Sequence, residues 1–328
     1  MYKFIEHLLD EVQKSSFRQW QNKLATDAQS TLEVSNASGD DEVKMVTKLC
    51  ETLNGNTRGE MRLYANKIHG RRSMVKFANG DNAIVTREMA DMVVISLVTR
   101  NNRIVFEKLA FIQNKKEHGA GKWNIEQSQL YLLHNLPTFD GVSGVFKHTA
   151  EIALPNIHGR LGNYGLFNAP SNMVFANARM ITALQKGTII SLDDIRKATA
   201  APENTTPFWG FDRNTVHEDL YYIFKHGYGA FFAGNNAPPI FGDCSIALNM
   251  HQFMRNWTQY NIGEVVVSHE RTKCKQLTDL TRAYIKAAGF KELFSFEFDD
   301  SENNNNENGY EWAVKEADTA VMIMHFET

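Results

Sequence analysis

The sequence has little cysteine, and it has no apolar run that approaches the length of a membrane span. Its three cysteines, Cys50, Cys244 and Cys274, are far apart and odd in number, which argues against a disulfide framework and indicates a reducing compartment. The first residues combine early acidic positions with only a short apolar stretch, unlike a signal peptide. We therefore expect a cytoplasmic protein that does not associate with membranes.

The chain also lacks an excess of charge of one sign, since its formal net charge is −3 over 328 residues. This balance argues against a protein coated in basic residues, so any contact with nucleic acid has to come from a local basic patch. The hydrophobic fraction of 43% is enough for a sizeable core in one large domain or two ordinary ones. No glycine-rich dinucleotide or P-loop motif is present, which argues against those nucleotide-binding folds.

The most informative stretch holds two apolar runs rich in valine, isoleucine and leucine, separated by a polar break. Residues 92–99 form the first run, residues 100–103 the break and residues 104–113 the second run. Runs of this composition, bounded by polar turn residues, predict two β-strands joined by a turn.

Three polar residues occupy the ends of these predicted strands. Asp91 precedes the first strand, whereas Gln113 and Lys115 lie at the end of the second. Because alternate residues of a strand share a face, Gln113 and Lys115 point the same way, and a paired neighbouring strand would bring Asp91 near them. A hard cation such as Mg²⁺ prefers oxygen ligands, and a nearby lysine can orient water or offset charge on a phosphate.

The arrangement of Asp91 and Gln113-Asn114-Lys115 resembles the D…(D/E/Q)-x-K signature of the PD-(D/E)XK nuclease superfamily, which has the restriction-endonuclease-like fold. The resemblance implies that Asp91 and Gln113 bind a metal and that Lys115 is the catalytic lysine. Mg²⁺ is the implied cofactor, and Mn²⁺ is expected to substitute for it. Gln113 replaces a commoner acidic residue, which removes one negative charge from the metal site.

Further site residues remain open. Glu88, three residues before Asp91, is a candidate additional metal ligand, with a surface acid as the alternative. The resemblance also implies a helix glutamate such as Glu51 or Glu60, between which the sequence does not decide. Basic residues that flank the predicted site form a candidate phosphate-binding strip, although scattered solvated bases are the alternative: Arg71, Arg72, Lys116 and Lys122.

The implied fold class is α/β (α+β), a mixed central sheet flanked by helices, with a mixed and largely helical C-terminal extension. We expect an N-terminal helical segment over residues 1–40, a nuclease-like core over 41–155 and an extension over 156–328 for substrate selection, oligomerisation or partner binding. The predicted elements match the α-β-β-β order of that core. They are a helix, a strand at residues 74–77, a strand from Asp91 and a strand ending in Gln113-Asn114-Lys115.

Several local predictions accompany this division. An amphipathic helix is expected over residues 2–25, a polar segment over 26–40, and a second helix from Asp40 or Asp41 to about Leu53. Further helices are expected over 123–136 and 172–184. Gln127 and Gln129 are candidates to face the site, with solvated helix positions as the favoured alternative. A linker is expected over 200–211, a mobile loop over 299–309, and a final strand over 319–326 that joins a sheet.

The resemblance implies a metal-dependent endonuclease that hydrolyses phosphodiester bonds of double-stranded DNA and serves in defence against phage or mobile DNA. A homodimer or a regulatory partner protein is the assembly it implies. Two alternatives stay open. One is a non-catalytic module that keeps the fold for nucleic-acid or protein binding, which Gln113 favours. The other is an adaptor protein in which the motif is accidental.

Overall fold

The computed structural model describes residues 3–68, 72–156, 159–168, 172–200, 244–268, 271–272, 274–294 and 318–328. The helices in this part are α1 (Lys3–Gln13), α2 (Ser15–Ala37), α3 (Glu42–Leu53), α4 (Gln127–Asn135), α5 (Ala178–Leu184), α6 (Leu192–Ala200), α7 (Met250–Thr258) and α8 (Lys275–Ala287). Arg71 and the residues predicted as a linker and a mobile loop, 201–211 and 299–309, lie outside the described residues.

The strands of the described chain are β1 (Thr57–Arg58), β2 (Met61–Ile68), β3 (Met74–Ala78), β4 (Ile84–Glu88), β5 (Met92–Arg100), β6 (Arg103–Lys116), β7 (Lys122–Asn124), β8 (Phe139–Gly141), β9 (Gly162–Asn168), β10 (Asn172–Asn177), β11 (Ile189–Ser191), β12 (Ile246–Ala247), β13 (Glu264–Ser268), β14 (Arg271–Thr272) and β15 (Thr319–Glu327). The fold is therefore mixed α/β.

A ten-stranded mixed sheet forms the centre of the molecule, with the order β1-β2-β15-β5-β6-β9-β10-β12. Strand β15 pairs parallel with β5, and β6 pairs parallel with β9, whereas β5 and β6 form the predicted antiparallel hairpin. Strand β13 pairs with the first half of β6, and β14 extends it. Because this sheet includes strands from both sides of residue 155, the predicted core and extension share one sheet.

Helices flank both faces of the sheet. One hydrophobic core is built with residues of α1, α2, α3 and α7, including Phe17, Leu49 and Trp257. The second core, on the opposite face, is built with residues of α4, α5, α6 and α8, including Leu133 and Tyr284. Among the described residues, none of these helices is long and apolar enough to cross a membrane.

Three predicted helices exist, but their bounds were wrong. Helix α2 continues to Ala37 through the segment expected to be polar, because Ala28, Leu32 and Ser35 extend its buried stripe. Residues 172–177 form β10 rather than the start of a helix, and their short apolar run is buried on both faces of the sheet. A run of that kind has no periodicity that separates strand from helix. Residues 122–124 form β7, so the following helix begins only at Gln127.

The predicted strand at residues 74–77 exists but lies in another sheet. It forms β3, which pairs with β4 and β8 in a separate three-stranded sheet. Strand β2 takes the expected place in the main sheet after α3. The second helix is confirmed, because α3 begins after Asp41, whose side chain accepts a hydrogen bond from Lys44 N at 2.9 Å.

A buried carboxyl lies at the middle of β6. Glu107 is fully buried beneath α8, and this burial raises its pKa to about 8 against the opposing effects of Thr281 and Arg282. Burying an ionised carboxyl costs much more free energy than burying a protonated one. Glu107 is therefore protonated in the folded protein at neutral pH, although a glutamate in the unfolded chain is ionised.

Replacing Glu107 by glutamine should remove a pH dependence of stability. The folded pKa of about 8 exceeds the ordinary value of 4.5, so the folded state holds more protons between these limits. The free energy of unfolding of the wild type then falls as pH rises through this window and levels off above it. The free energy of unfolding is measured by urea denaturation below, within and above the pH window between 4.5 and about 8. The difference between Glu107→Gln and the wild type should shift in favour of Glu107→Gln as pH increases.

The matched control is Glu33→Gln, which changes an exposed glutamate on α2. Its stability should follow the wild-type pH profile. Parallel pH profiles for the wild type and Glu107→Gln would contradict the assignment of a neutral Glu107.

Candidate active site

The candidate site lies at the end of the main sheet where β5 begins and β6 ends. The backbone of Asp91 is held from both sides: its N–H donates to Ile112 O at 3.2 Å, and its carbonyl accepts from Ala320 N at 3.0 Å. The register of the hairpin pairs Met92 with Ile112. Asp91 is thus placed beside the last residues of β6 by two neighbouring strands.

The Asp91 carboxylate contacts the predicted motif directly. Its Oδ2 accepts a hydrogen bond from the backbone N–H of Asn114 at 2.7 Å and another from Nε2 of Gln113. Burial raises the pKa of Asp91 to about 6, although the Asn114 N–H, Lys115 and Lys67 all lower it. The desolvation of this carboxyl therefore outweighs three favourable interactions with its charged form.

The last residues of β6 and Tyr164 on the paired strand β9 carry buried polar atoms without partners in the described part of the chain. Among the described residues, Gln113 Oε1, both carboxamide atoms of Asn114 and the hydroxyl of Tyr164 are buried and have no hydrogen-bond partner. Tyr164 lies opposite Gln113 in the register of β6 and β9. Because buried polar atoms in folded proteins are normally satisfied, such a group marks a place where an ordered water or a cation is expected.

Lys115 lies two residues after Gln113 on β6, so the two side chains share a face of the strand. Its side chain is partly exposed, and its charge lowers the pKa of Asp91. Within the described chain Lys115 forms no hydrogen bond through its side chain and no ion pair. Its ammonium group is therefore available to a ligand near Asp91.

Glu88 belongs to the same electrostatic neighbourhood. Its side chain is 12% exposed, and burial, followed by the charge of Asp91, raises its pKa to about 7. Arg72 lowers that pKa and lies 3.6 Å from it, measured from Nη1 to Glu88 Oε2. Gln129 Nε2 donates to the backbone carbonyl of Glu88 at 2.6 Å. Gln129 is buried, so the favoured interpretation that it is a solvated position is wrong, whereas Gln127 is exposed.

The basic residues of the predicted strip have different environments. The side chains of Arg72 and Lys122 are exposed. The Lys116 ammonium instead donates to the backbone carbonyl of Asp40 at 2.8 Å, and its N–H donates to Glu42 Oε1 at 2.9 Å. Lys116 thereby connects β6 with the start of α3.

Three charged residues near Asp91 were missed by sequence analysis. Lys67 on β2 forms an ion pair with Asp318 at 2.9 Å, and both residues influence the pKa of Glu88. Glu42, the first residue of α3, raises the pKa of Asp91. Glu60, a predicted helix glutamate, lies instead in the turn between β1 and β2. No local signal marks Lys67 or Asp318, because only the pairing of β15 with β2 brings them together.

The oxygen donors at this end of the sheet include the carboxylates of Asp91 and Glu88 and the carboxamide oxygen of Gln113. Oxygen-only donor sets completed by water are typical of Mg²⁺. In the part of the chain that is described, no group of three or more histidine, cysteine, aspartate and glutamate side chains is arranged to hold a metal ion. A cation here would therefore depend on few carboxylates and on the Gln113 oxygen.

Comparison with known proteins does not add to this picture. No protein-family model, no curated protein and no solved structure matches the chain.

Removing one member of the Lys67–Asp318 pair should destabilise the protein. Lys67 is nearly buried, so Asp318→Asn leaves a desolvated ammonium without its carboxylate, at a cost of about 2 kcal/mol in the free energy of unfolding. Lys67→Met combined with Asp318→Asn should recover much of this loss. A double-mutant cycle by urea denaturation measures the coupling energy between Lys67 and Asp318. Strictly additive effects of the two single substitutions would contradict the predicted coupling.

Proposed function

We propose that this chain is a metal-dependent nuclease of restriction-endonuclease-like fold that hydrolyses phosphodiester bonds in double-stranded DNA. The observation that carries the proposal is the meeting of Asp91, Gln113 and Lys115 at one end of the main sheet. Asp91 Oδ2 accepts from the Gln113 amide, and the Lys115 charge acts on the same carboxylate. Asp91 and Gln113 of the D…QxK pattern are in contact, and Lys115 acts on the same carboxylate through its charge, which a chance pattern does not require.

The order of elements supports the proposed fold. Along the chain α3 is followed by the short strand β1, by β2, by β3 and β4 of the separate sheet, and then by β5 and β6. The longer main-sheet strands β2, β5 and β6 therefore follow α3 in the α-β-β-β order implied by the resemblance. Strand β15 stands between β2 and β5 as an addition to that order. Helix α4 then leads to β9, which pairs parallel with β6.

The residues present fit a hard cation. Gln113 Oε1 is buried and has no hydrogen-bond partner among the described residues. The neighbouring carboxylate of Asp91 is poorly hydrated because it is buried. Asp91, Gln113 and Glu88 are the residues that would hold Mg²⁺ or Mn²⁺. When bound, such a cation supplies Lewis-acid stabilisation of the phosphate and acidifies a bound water.

The side chains of the chain have distinct roles in this proposal. The Lys115 ammonium donates hydrogen bonds to the attacking water and to a phosphate oxygen, since it has no hydrogen-bond or ion-pair partner within the described chain. Glu88, with a pKa of about 7, would have to release its proton in order to hold a cation. Arg72 and Lys122 have exposed side chains that bind the phosphates of the DNA backbone.

The nuclease assignment predicts cleavage of plasmid and linear DNA with Mg²⁺ or Mn²⁺ and no cleavage with EDTA. Lys115→Ala should lower the cleavage rate by about 100-fold or more, because a preorganised donor at the developing charge is lost. Gel assays under single-turnover conditions measure this rate. Lys23→Ala, which changes an exposed lysine on α2, is the matched control and should cleave normally. Cleavage retained by pure Lys115→Ala protein would rule out the assigned role.

Metal affinity should depend on pH. The pKa values of Asp91 and Glu88 are raised to about 6 and about 7, so both carboxyls are fully ionised only above this range. A cation must displace any proton that they hold, and its affinity then falls by up to about tenfold per pH unit below each pKa. Titration with Mn²⁺ by calorimetry at several pH values measures this, and an affinity independent of pH would contradict it. Asp91→Asn should remove most binding.

A second candidate function is a non-catalytic module that binds nucleic acid or protein. One observation favours it: two N–H donors, from Gln113 and Asn114, already satisfy Asp91 Oδ2 without a cation. DNA binding that is unaffected by EDTA, together with no Mn²⁺ binding by calorimetry, would establish this alternative. Mn²⁺ binding that Asp91→Asn abolishes would favour the nuclease.

A further inference from the structure

A cleft lies on the outer side of α4, between the β3–β4 turn and α5. It has a volume of about 230 Å³, and the residues that line it include Asn79, Asp81, Tyr131 and His134. Gln129, on the other side of the same helix, reaches Glu88, so the cleft is separate from the Asp91 site.

The hydrogen bonds of His134 decide which of its nitrogen atoms is protonated. Thr182 Oγ1 donates its hydrogen to Ala178 O at 2.9 Å, so the same hydroxyl must accept from His134 Nδ1, which lies 2.8 Å away. Burial, followed by the charge of Arg179, lowers the pKa of His134, so the imidazole is neutral at pH 7. Since Nδ1 carries the proton, Nε2 is a hydrogen-bond acceptor.

Other lining residues also have unused acceptors. Asn135 Nδ2 donates to Tyr131 O at 3.1 Å, which leaves its Oδ1 available. Within the described chain, the Asp81 carboxylate takes part in no hydrogen bond or ion pair. Of the described residues that line the cleft, none is lysine or arginine. Asp81 is therefore the one lining residue among those described with a formal charge at neutral pH, while the charge of Arg179 reaches His134 from outside the lining. Asn135 Oδ1 and His134 Nε2 are acceptors.

We propose that this cleft binds a guanidinium group. A guanidinium is cationic and planar and carries five N–H donors, which complement the Asp81 carboxylate, Asn135 Oδ1 and His134 Nε2. An anionic ligand would be repelled by Asp81. The ring of Tyr131, stacked on Phe77 with an interplanar angle of 8°, adds an aromatic surface that attracts cations. This proposal is independent of the proposed nuclease activity.

The test is an NMR titration of ¹⁵N-labelled protein with ethylguanidinium chloride. Saturable shifts are expected at backbone amides of the β3–β4 turn and of α4. Asp81→Asn should weaken this binding about tenfold, the effect of losing one charge-assisted hydrogen bond. Asp10→Asn, an exposed aspartate on α1, is the control and should bind like the wild type.

Two further titrations identify the source of the group and the chemistry that is recognised. A Gly-Arg-Gly peptide with blocked ends that binds more tightly than ethylguanidinium would assign the cleft to an arginine of a partner protein, whereas equal affinity would assign it to a free guanidino compound. The absence of saturable shifts with both probes would overturn the proposal. Equal binding of ethylammonium, or unchanged affinity in Asp81→Asn, would overturn it as well.

Discussion

The insertion of β15 between β2 and β5 is the constraint on which the rest of the structure depends. This strand pairs antiparallel with β2 and parallel with β5, and its residues from Thr319 to Phe326 are buried. A strand covered on both faces can be displaced only by losing two hydrogen-bond ladders and its apolar contacts. Near its start, the N–H of Ala320 donates a hydrogen bond to Asp91 O. Asp318, which precedes the strand, forms an ion pair with Lys67. The last strand thus holds the candidate site in place.

Desolvation controls the electrostatics at this end of the sheet. Asp91 has the positive charges of Lys115 and Lys67 nearby, and Glu88 has those of Arg72 and Lys67, yet burial raises the pKa of both carboxyls. Groups of this kind bind or release protons near neutral pH and bind cations in competition with protons. The same physical cause acts on Glu107 in the middle of β6, where no chemistry is proposed. A raised pKa is informative at Asp91 because Lys115, which has no hydrogen-bond or ion-pair partner within the described chain, and the carboxyl of Glu88 act on the same site. Glu107, in contrast, is buried beneath α8.

Helix α4 connects the two regions of proposed chemistry. Its inner side presents Gln129 to the backbone of Glu88, and its outer side lines the cleft through Tyr131 and His134. Arg87, which precedes Glu88, forms an ion pair with Glu126 at the start of the helix, with Nη2 lying 2.7 Å from Oε1. The position of Glu88 is thereby fixed by contacts with both α4 and β3.

The sequence by itself determined the elements whose signals are local. The hairpin of β5 and β6 follows from two β-branched runs and a polar break, and α3 follows from the cap at Asp41. The contact of Asp91 with Gln113 could also be predicted, because pairing and side-chain alternation are local rules.

Only the tertiary structure decided which distant segments become neighbours. The existence of the last strand could be predicted, but its place between β2 and β5 could not, because an apolar run does not specify its partners. Lys67, Asp318 and Glu42 approach Asp91 from three segments that are remote in sequence, and no residue type or spacing signals their approach. For the same reason β10 was mistaken for a helix, since a short run buried on both faces lacks the periodicity that distinguishes the two structures.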